Sequence, residues 1–443
     1  MFGRRAMPKK KSHSRPEREK NKRAIGQNFW QLLYICEVMM VPIAIIGTLD
    51  TKGEEVAYIK QLIQESGCST IVVDVGVLHQ PRTEADVSRD SVASAGGVAL
   101  KELLDVGDRR LAIQTMTEGA KSIVRDLYNK GRLSGVISVG GGTGTHIGTG
   151  AMRGLPLGIP KLMVSTVASR DMSELIGTKD IVMMHSVIDI LGLNAISRKI
   201  LSHAAAAIVA MAGNGGRIEP VRPIIGLTSF GFITEGAMLV KSMLEAKGYD
   251  VAPFHANGTG GMSMEDLIDQ GLISGVLDFA LHEFSDQLYG GYCGAIGPDR
   301  LEAAGRKGIP QVVVPGGLDC IVLEFDSPET MPEAVKDRKV FWYDFRSGVR
   351  TVAQDMRQLA GTIAEKLNRA TGPVTVMIPM KGWSEADAPG GPLYDPETNR
   401  IFVDELKSLL SPSIPVVEAD LHINQSEFAE LAVSELDRLM SRA

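Results

Sequence analysis

Short apolar runs alternate with longer amphipathic segments from Pro42 to the end of the chain. Four apolar runs in the first half predict buried strands, at 43–46, 70–75, 135–139 and 161–164. Helix-length segments at about 52–66 and 113–129 lie between them. Strands that alternate with helices indicate βαβ units, whose strands lie parallel in one sheet. The first half therefore predicts an α/β fold in which the loops that follow the strands share one edge of the sheet.

The second half of the chain repeats this plan. It opens with a predicted strand at 224–228, a helix at 235–247 and a second strand at 250–254. Two short segments recur in the same order: LSGVI (133–137) as ISGVL (273–277), and GIPKLMV (158–164) as GIPQVVV (308–314). Such recurrence predicts a duplicated domain. We expect two tandem Rossmann-like α/β domains with mostly parallel sheets, at 42–213 and 214–443.

An Ala-rich helix is predicted at 202–211, directly before a glycine-rich junction at 212–216. Its small side chains allow close helix packing, so we interpret it as buried between the domains or in a dimer interface. It is shorter than the roughly 20 apolar residues that a membrane span requires. We therefore predict no membrane partner.

The charge of the chain is unevenly distributed. Residues 1–41 form a basic leader with ten Lys or Arg and three acidic residues, so the leader carries +7. Because the whole chain carries −6, the remainder carries −13 and should repel nucleic-acid phosphates. Met39 and Met40 directly precede the first strand, and we interpret the leader as a disordered or artefactual extension, with an RNA-binding arm as the alternative.

Composition narrows the classes of function further. Aromatic residues make up only 5% of the chain, which disfavours a stacking platform for single-stranded nucleic acid, while glycine is abundant at 48 residues. The four cysteines stand far apart, without a CxxC pair or a Cys/His cluster. We therefore predict no metal site and a cytoplasmic, reducing location.

The loop after the first predicted strand combines groups that suit an anion. Gly47 permits a tight turn, Thr48 and Thr51 offer hydroxyl groups, and Lys52 adds a positive charge at a helix N-terminus. Asp50 is a candidate base. The alternative is that Asp50 or Thr51 only caps the helix. The loop lacks the spacing of a Walker A motif.

A second glycine-rich loop follows the strand at 135–139. Its candidate anion-binding residues are Gly140, Gly141, Gly142, Thr143, Gly144 and Thr145. Successive glycines expose backbone N–H groups and let phosphates approach the main chain, so we predict phosphate or carboxylate binding here. The next residue, His146, is either an acid–base group or a capping residue.

Two further loops offer weaker candidates. Thr166 and Arg170 follow the fourth strand, where Arg170 either binds an anion or pairs with Asp171. In the second half, the segments 255–261 and 315–319 together with Glu283 suggest a second small-molecule site. His255, His282 and Glu283 are an alternative metal-binding set. The motifs GxSxG and HExxH and the kinase motifs are absent, and no GxGxxG follows the first strand, so NAD-dependent hydride transfer is disfavoured.

The segments IIGTLDTKGE (45–54) and SVGGGTGT (138–145) together resemble the Tm-one-like ATP-binding family. Further similar stretches are GLTSFG (226–231), HANGTGG (255–261) and VPGGLD (314–319), and the likeness extends from Pro42 to the C-terminus. The resemblance implies two Rossmann-like domains, ATP as ligand and a homodimer. The assignment of ATP to the two loops rests on their phosphate-binding chemistry.

Two functions remain open at this point. The first is an ATP-binding protein whose nucleotide organises the cleft or dimer and whose output is a partner or metabolite. The second is an enzyme that uses ATP with Mg²⁺ for phosphoryl or group transfer to a small acidic or sugar-like metabolite. In that enzyme Lys52 and Arg170 would neutralise charge and Asp50 or Glu283 would be the base.

Overall fold

The computed structural model describes residues 41–442, which divide into two compact units between Arg217 and Ile218. Residues 1–40, and with them nearly all of the predicted basic leader, lie outside the described residues. Both units contain a parallel sheet with helices packed on it. The predicted α/β fold with two tandem Rossmann-like domains is therefore confirmed.

The sheet of unit 1 contains five parallel strands. They are β1 (Ile43–Gly47), β2 (Thr70–Asp74), β3 (Gly135–Gly140), β4 (Lys161–Ser165) and β5 (Val182–His185). Their order across the sheet is β2-β1-β3-β4-β5, so the first strand lies between the second and third. The direction of winding reverses there, and open α/β sheets bind ligands beyond the carboxyl ends of the strands at such a switch point.

Helices cover both faces of this sheet. They are α1 (Leu49–Glu65), α2 (Arg89–Ala95), α3 (Leu100–Val106), α4 (Arg109–Asn129), α5 (Gly142–Arg153), α6 (Ser173–Ile176) and α7 (Ala195–Asn214). Alternate residues of β1 point to opposite faces: Ile43 and Ile45 join the core with α1 and α7, and Ala44 and Ile46 join the core with α2 to α5. Both faces are thereby buried, as parallel sheets require.

The predicted Ala-rich helix is longer than expected, since it forms α7. A capping box at Asn194 and Ser197 starts it. Leu201, Ala204 and Ile208 bury one side of the helix in the core of unit 1. By length and composition alone α7 could span a membrane, and the core helices of globular proteins pass the same test.

The main sheet of unit 2 contains six parallel strands. They are β6 (Ile224–Ser229), β7 (Asp250–His255), β8 (Gly275–Asp278), β9 (Gln311–Val313), β13 (Val374–Pro379) and β14 (Val416–Ala419), in the order β14-β13-β9-β8-β6-β7. An antiparallel sheet that the sequence did not indicate is formed by β10 (Cys320–Leu323), β11 (Val340–Trp342) and β12 (Ser347–Arg350).

The α-helices of unit 2 are α8 (Thr234–Ala246), α9 (Thr259–Asp269), α10 (His282–Tyr289), α11 (Ala303–Lys307), α12 (Ala353–Leu367), α13 (Pro396–Leu409) and α14 (Ser426–Met440). Short 3₁₀ turns lie at Gly231–Ile233, Glu333–Val335 and Glu385–Asp387. The recurring segments found in the sequence occupy matching places, because they form the third and fourth strands of each parallel sheet: β3 and β8, then β4 and β9.

Candidate functional site

A cavity of about 930 Å³ opens in unit 1 beyond the carboxyl ends of β1 and β3. Its wall brings together both predicted anion-binding loops through Thr48, Asp50, Thr51, Lys52, Gly141, Gly142, Thr143 and Gly144. The other predicted residues, Gly47, Gly140, Thr145, Thr166 and Arg170, are not in this wall. The cavity lies at the switch point of the sheet, where the topology favours a ligand.

The loop after β1 is held by its own polar groups. The hydroxyl groups of Thr48 and Thr51 are 2.8 Å apart, and the amide of Leu49 donates to Asp74 at 3.1 Å. Burial raises the pKa of Asp74, and the neighbouring Asp50 carboxylate also contributes to the rise, while hydrogen bonds from Gly76 and Leu49 oppose it. Two carboxylates are thus packed close together at this end of the sheet.

Asp50 has one engaged and one unengaged carboxylate oxygen. Oδ2 accepts from the amides of Leu78 at 2.8 Å and His79 at 3.2 Å, which fixes the loop after β2. Oδ1 is buried and has no hydrogen-bond partner among the described residues. The predicted capping role is wrong, because Thr48 is the N-cap of α1 and Asp50 binds the loop after β2 instead. Since Oδ1 is left unengaged, Asp50 remains a candidate for chemistry.

Lys52 is not the free charge that the sequence suggested. Its ammonium group donates to the carbonyl of Ile190, and the backbone of Lys52 interrupts the first turns of α1 with φ −123° and ψ 21°. The side chain still lines the cavity, but its hydrogen bond ties the loop after β1 to the segment before α7. A ligand would have to share this ammonium with Ile190.

The glycine-rich loop becomes the first turn of α5. Gly141 is the N-cap, and the first i→i−4 hydrogen bond is donated by Thr145 to the Gly141 carbonyl at 2.8 Å. The amides of Gly142, Thr143 and Gly144 stand ahead of that bond and have no intrahelical acceptor at i−4. These three amides line the cavity, and the helix dipole adds partial positive charge at the same place.

The glycines of these loops differ in whether tight packing excludes a side chain. A Cβ on Gly47 would lie 2.5 Å from Val56 Cγ2, and one on Gly140 would lie 2.8 Å from Gly144 Cα, so both glycines allow a helix to pack closely on its strand. Gly47 therefore serves packing rather than a special turn. A Cβ on Gly142 meets nothing within 4 Å, so packing does not explain this glycine.

The remaining predicted residues support or border the loop. Thr145 is fully buried, and its hydroxyl group lies 2.7 Å from Ser165 Oγ, which joins α5 to β4. The Thr166 amide donates to the Gly140 carbonyl at 3.2 Å. Arg170 is exposed and outside the cavity wall, so the structure does not bring it to the site.

One cationic residue of the site was missed by sequence reasoning. Arg109 begins α4 beside its N-cap Asp108, and its guanidinium donates to Thr143 Oγ1 at 2.9 Å. The side chain is exposed and lines the cavity next to the α5 N-terminus. The available signal was an Asp-Arg-Arg helix start, but no local pattern connects it to a loop 34 residues away.

The apolar wall of the cavity consists of Val75, Val77, Leu78, Leu103, Leu104, Ala112, Ile113, Met116 and Ile147. Leu78 and Leu104 are 69% and 48% exposed, so part of this wall is open to a ligand. The cavity therefore has a polar end with amides and cations and an apolar side, which is typical of small-molecule sites.

A second cavity of about 760 Å³ adjoins the first and shares Arg109, Ile113, Gly142 and Thr143 with it. Arg110, His146 and Arg153 also line it, together with one carboxylate, Glu118. Basic groups therefore outnumber acidic ones in the wall of this second cavity, which is suited to a second acidic group.

The predicted second site in unit 2 is filled by the protein itself. The amides of Gly258 and Gly261 donate to Glu283 Oε1 at 2.7 and 3.1 Å, so an internal carboxylate takes the place of an anionic ligand. Arg300 donates to Glu283 Oε2 at 2.6 Å and to both oxygens of Asp278. Burial alone would lower the pKa of Arg300, but the carboxylates of Asp278 and Glu283 outweigh it and raise that pKa well above its ordinary value.

The predicted alternative metal set is not assembled. Glu283 is engaged by Arg300 and the loop amides, and His255 is an exposed residue at the end of β7. The loop at 315–319 instead leads to a buried acid, Asp319, which accepts from Ser384 Oγ at 2.6 Å. Burial, together with the nearby carboxylate of Asp387, raises the pKa of Asp319 to about 6.

Fold and cavity define a protein of two tandem Rossmann-like units with a small-molecule cavity at the sheet edge of the first. Family models agree with this division: the N-terminal domain of the uncharacterised protein family UPF0261 matches residues 41–216, and its C-terminal domain matches 222–440. The chain belongs to the UPF0261 family.

Relatives support this membership. A UPF0261 protein of Clostridium tetani is 42% identical over 90% of this chain and 99% of its own length. A UPF0261 protein of Rhizobium meliloti is 38% identical over 89% of this chain and 98% of its own length. The ToMV resistance protein Tm-1(GCR237) of Solanum lycopersicum is 36% identical over 88% of this chain and 54% of its own length, which confirms the resemblance noted in the sequence.

Proposed function

We propose that unit 1 binds ATP in the cavity between the loop after β1 and the N-terminus of α5. The observation that carries the proposal is the convergence of three helix-start residues without intrahelical amide acceptors, the Arg109 side chain and apolar side chains around one cavity. The volume of about 930 Å³ falls within the range of roughly 300–1,000 Å³ that is usual for small-molecule sites.

The phosphates would lie at the polar end of the cavity. Amides at a helix N-terminus bind anions through hydrogen bonds and the helix dipole, and the missing side chain of Gly142 lets a phosphate reach the backbone. Arg109, already placed against Thr143, supplies a bidentate donor for a phosphate oxygen. Lys52 and the Thr48–Thr51 hydroxyl pair line the other side of this end.

The adenine base would lie against the apolar wall. Leu78 and Leu104 are exposed at the rim, and Val77, Ile113 and Met116 continue the surface inward. Covering these side chains with a flat base removes apolar surface from water, at about 25 cal/mol per Å². Such a wall would be a poor environment for a purely ionic metabolite.

A charge placed at Gly142 tests the proposal without disturbing the fold. Gly142→Asp puts a carboxylate into open space at a helix N-terminus, where it suits the helix but repels a phosphate. Gly142→Asn is the matched neutral control of nearly equal size. Thermal unfolding with ATP should show ligand stabilisation for the wild type, about 2.7 kcal/mol at 100-fold excess over Kd. Gly142→Asn should weaken the effect and Gly142→Asp should abolish it.

The opposite result would reject ATP as the ligand. If ATP stabilises Gly142→Asp as much as the wild type, the α5 N-terminus does not hold its phosphates. If no nucleotide stabilises the wild type but a carboxylate or sugar acid does, the cavity serves a metabolite instead.

A second candidate function is phosphoryl or group transfer from ATP to a small acidic or sugar-like metabolite. The observation that favours it is the adjoining basic cavity with Arg110, His146 and Arg153. The unengaged Oδ1 of Asp50 fits either a Mg²⁺ ion that accompanies the nucleotide or a proton acceptor. Phosphate release that requires Mg²⁺ and is lost in Asp50→Asn with ATP binding retained would support an enzyme. Binding without turnover in any metabolite panel would support a binding protein.

The homodimer and the cytoplasmic location stay predictions, as does the absence of nucleic-acid and membrane partners. Sedimentation of the full chain with and without ATP would test whether the nucleotide organises a dimer.

A further inference from the structure

Unit 2 contains a buried group of potential metal ligands that the proposed function does not use. His282 and Asp286 lie one turn apart on α10, and Cys293 lies in the loop that follows this helix. A ring nitrogen of His282, a carboxylate oxygen of Asp286 and the sulfur of Cys293 all lie within 4.8 Å of one another. His282 and Asp286 are fully buried, and Cys293 is 3% exposed.

The imidazole of His282 is held by a hydrogen bond to the backbone of another loop. Nδ1 lies 3.0 Å from the carbonyl oxygen of Gly317, and because a carbonyl only accepts, Nδ1 carries the proton of this hydrogen bond. In the neutral ring Nε2 then holds a lone pair. Nε2 is buried and has no hydrogen-bond partner among the described residues, which is costly for a polar atom. Because Nδ1 donates to a carbonyl, Nε2, which lies beside Asp286, is the nitrogen available to a metal ion, as is typical of metal-ligating histidines.

The carboxylate of Asp286 is also held in place. Oδ1 accepts from the Val322 amide and Oδ2 from the Cys293 amide, each at 2.7 Å. These two bonds orient the carboxylate and bring the backbone of Cys293 against it. Each oxygen retains a further lone pair that a cation could use.

The spacing of the first two donors suits a shared ion. His282 Nε2 and Asp286 Oδ1 are 3.4 Å apart. Two ligands that each lie about 2.1 Å from a tetrahedral zinc ion are separated by about 3.4 Å. The face of the imidazole is closed by Phe230, whose ring stacks on it with centroids 3.8 Å apart.

We propose that His282, Asp286 and Cys293 bind one divalent transition-metal ion, and the mixed nitrogen, oxygen and sulfur donor set points to zinc. Imidazole, carboxylate and thiolate are the three zinc ligand types in proteins, and three of them leave one coordination position for a further ligand. Binding would release the Cys293 proton, because only the thiolate is a strong ligand. The ion would cross-link α10 to the loop that follows it. Through its hydrogen bond to the Gly317 carbonyl, His282 would connect this site to the loop that contains Gly317.

A second buried cysteine provides a matched control. Cys320 Sγ lies 3.8 Å from His282 Nδ1, on the protonated side of the ring, so it does not face the proposed ion. Cys293→Ser and Cys320→Ser therefore make the same chemical change on opposite sides of one imidazole. Cys68→Ser, in unit 1, adds a buried control in the other unit.

Metal content of the purified full chain tests the proposal directly. Mass spectrometry should find about one zinc ion per wild-type chain, and the same in Cys320→Ser and Cys68→Ser, but none in Cys293→Ser or His282→Ala. After chelation and cobalt loading, the wild type should show a thiolate-to-cobalt charge-transfer band that Cys293→Ser lacks. Chelation should lower Tm of the wild type and leave Tm of Cys293→Ser unchanged, which separates metal loss from a folding defect.

Two outcomes would overturn the proposal. One is a wild type that holds no zinc or cobalt after loading. The other is an equal cobalt spectrum in Cys293→Ser. In the first case, nitrogen NMR of His282 should show a doubly protonated ring, meaning that His282 and Asp286 form a buried ion pair instead. The ATP site is tested separately, because Gly142 lies in the other unit.

Discussion

Unit 1 and unit 2 both place their first and third parallel strands side by side, β1 beside β3 and β6 beside β8. In unit 1 the edge beyond these strands is a cavity lined by the helix-start residues Gly142, Thr143 and Gly144. In unit 2 Asp278 ends β8 and is paired with Arg300, while Glu283 accepts hydrogen bonds from the amides of the loop after β7. The same topology thus yields an open site in one unit and an internally neutralised cluster in the other. Function follows from these side chains and not from the fold.

Removal of Arg300 should have the largest effect on stability. Arg300→Leu would leave Asp278, Glu283 and Glu265 without their buried cation, and breaking a buried pair costs about 3–5 kcal/mol. Urea unfolding should therefore show unit 2 losing most or all of its stability. Arg109→Leu, in unit 1, changes an exposed cation and should stay within about 0.5 kcal/mol of the wild type. An equal loss of unfolding free energy in the two variants would contradict the contrast between a buried, paired cation in unit 2 and an exposed one in unit 1.

The buried acid of unit 2 should make its stability depend on pH. The pKa of Asp319 is about 6 in the folded chain against an ordinary value of 3.8, so the unfolded chain releases this proton first as pH rises. The protonated carboxyl therefore favours folding below about pH 4, and this contribution is lost as pH rises through about 6. The difference corresponds to at most about 3 kcal/mol.

Asp319→Asn should remove this dependence. The free energy of unfolding of Asp319→Asn relative to the wild type should increase between pH 4 and pH 7, as measured by urea titration. In Ser384→Ala the carboxylate loses a hydroxyl donor that lowers the pKa of Asp319, so the dependence should steepen. Parallel curves for the wild type and Asp319→Asn would contradict a raised pKa.

A glycine-to-alanine substitution should destabilise the filled site of unit 2 but not the open site of unit 1. A Cβ on Gly261 would collide with the Glu283 carboxylate and Arg300 Nε, and overpacking of this kind costs about 1–3 kcal/mol. A Cβ on Gly142 meets open space at the start of a helix, so Gly142→Ala should be neutral or stabilising by a few tenths of a kcal/mol. Chemical denaturation of both variants measures the difference, and a destabilised Gly142→Ala would indicate that the loop is not open.

The last prediction concerns ligand affinity rather than stability. Arg109→Ala should weaken ATP binding by about 1.5–3 kcal/mol, or roughly 10- to 150-fold, if its guanidinium forms a charged hydrogen bond to phosphate. Arg125→Ala, at an exposed position of the same helix and outside the cavity wall, should leave Kd unchanged. Titration calorimetry distinguishes the two, and an equal loss in both variants would indicate only a general charge effect.

Local patterns were enough to predict the fold and the two loops of the site. Apolar runs and the recurring segments predicted β1 to β4 and β6 to β9, and a glycine–threonine loop after β3 directly identified the α5 N-terminus. The strands β5 and β10 to β14 were not predicted. The echo of this loop at Gly258–Gly261 was misleading, because the carboxylate that fills it, Glu283, is 22 to 25 residues away in sequence. Arg109 was missed for the same reason, since tertiary packing of α4 and α5 brings it to Thr143. Lys52 and Arg170 had suitable chemistry, but a local pattern does not determine where long side chains point.

Hydrogen exchange of the full chain with and without ATP is the measurement that tests the central claim most directly. We expect ATP to slow exchange in peptides that cover 48–52, 76–82, 104–116 and 141–147 of unit 1, and to leave peptides 255–262 and 278–286 of unit 2 unchanged. Protection confined to unit 2, or no protection in either unit at saturating ATP, would contradict the assignment of the nucleotide to the open switch point.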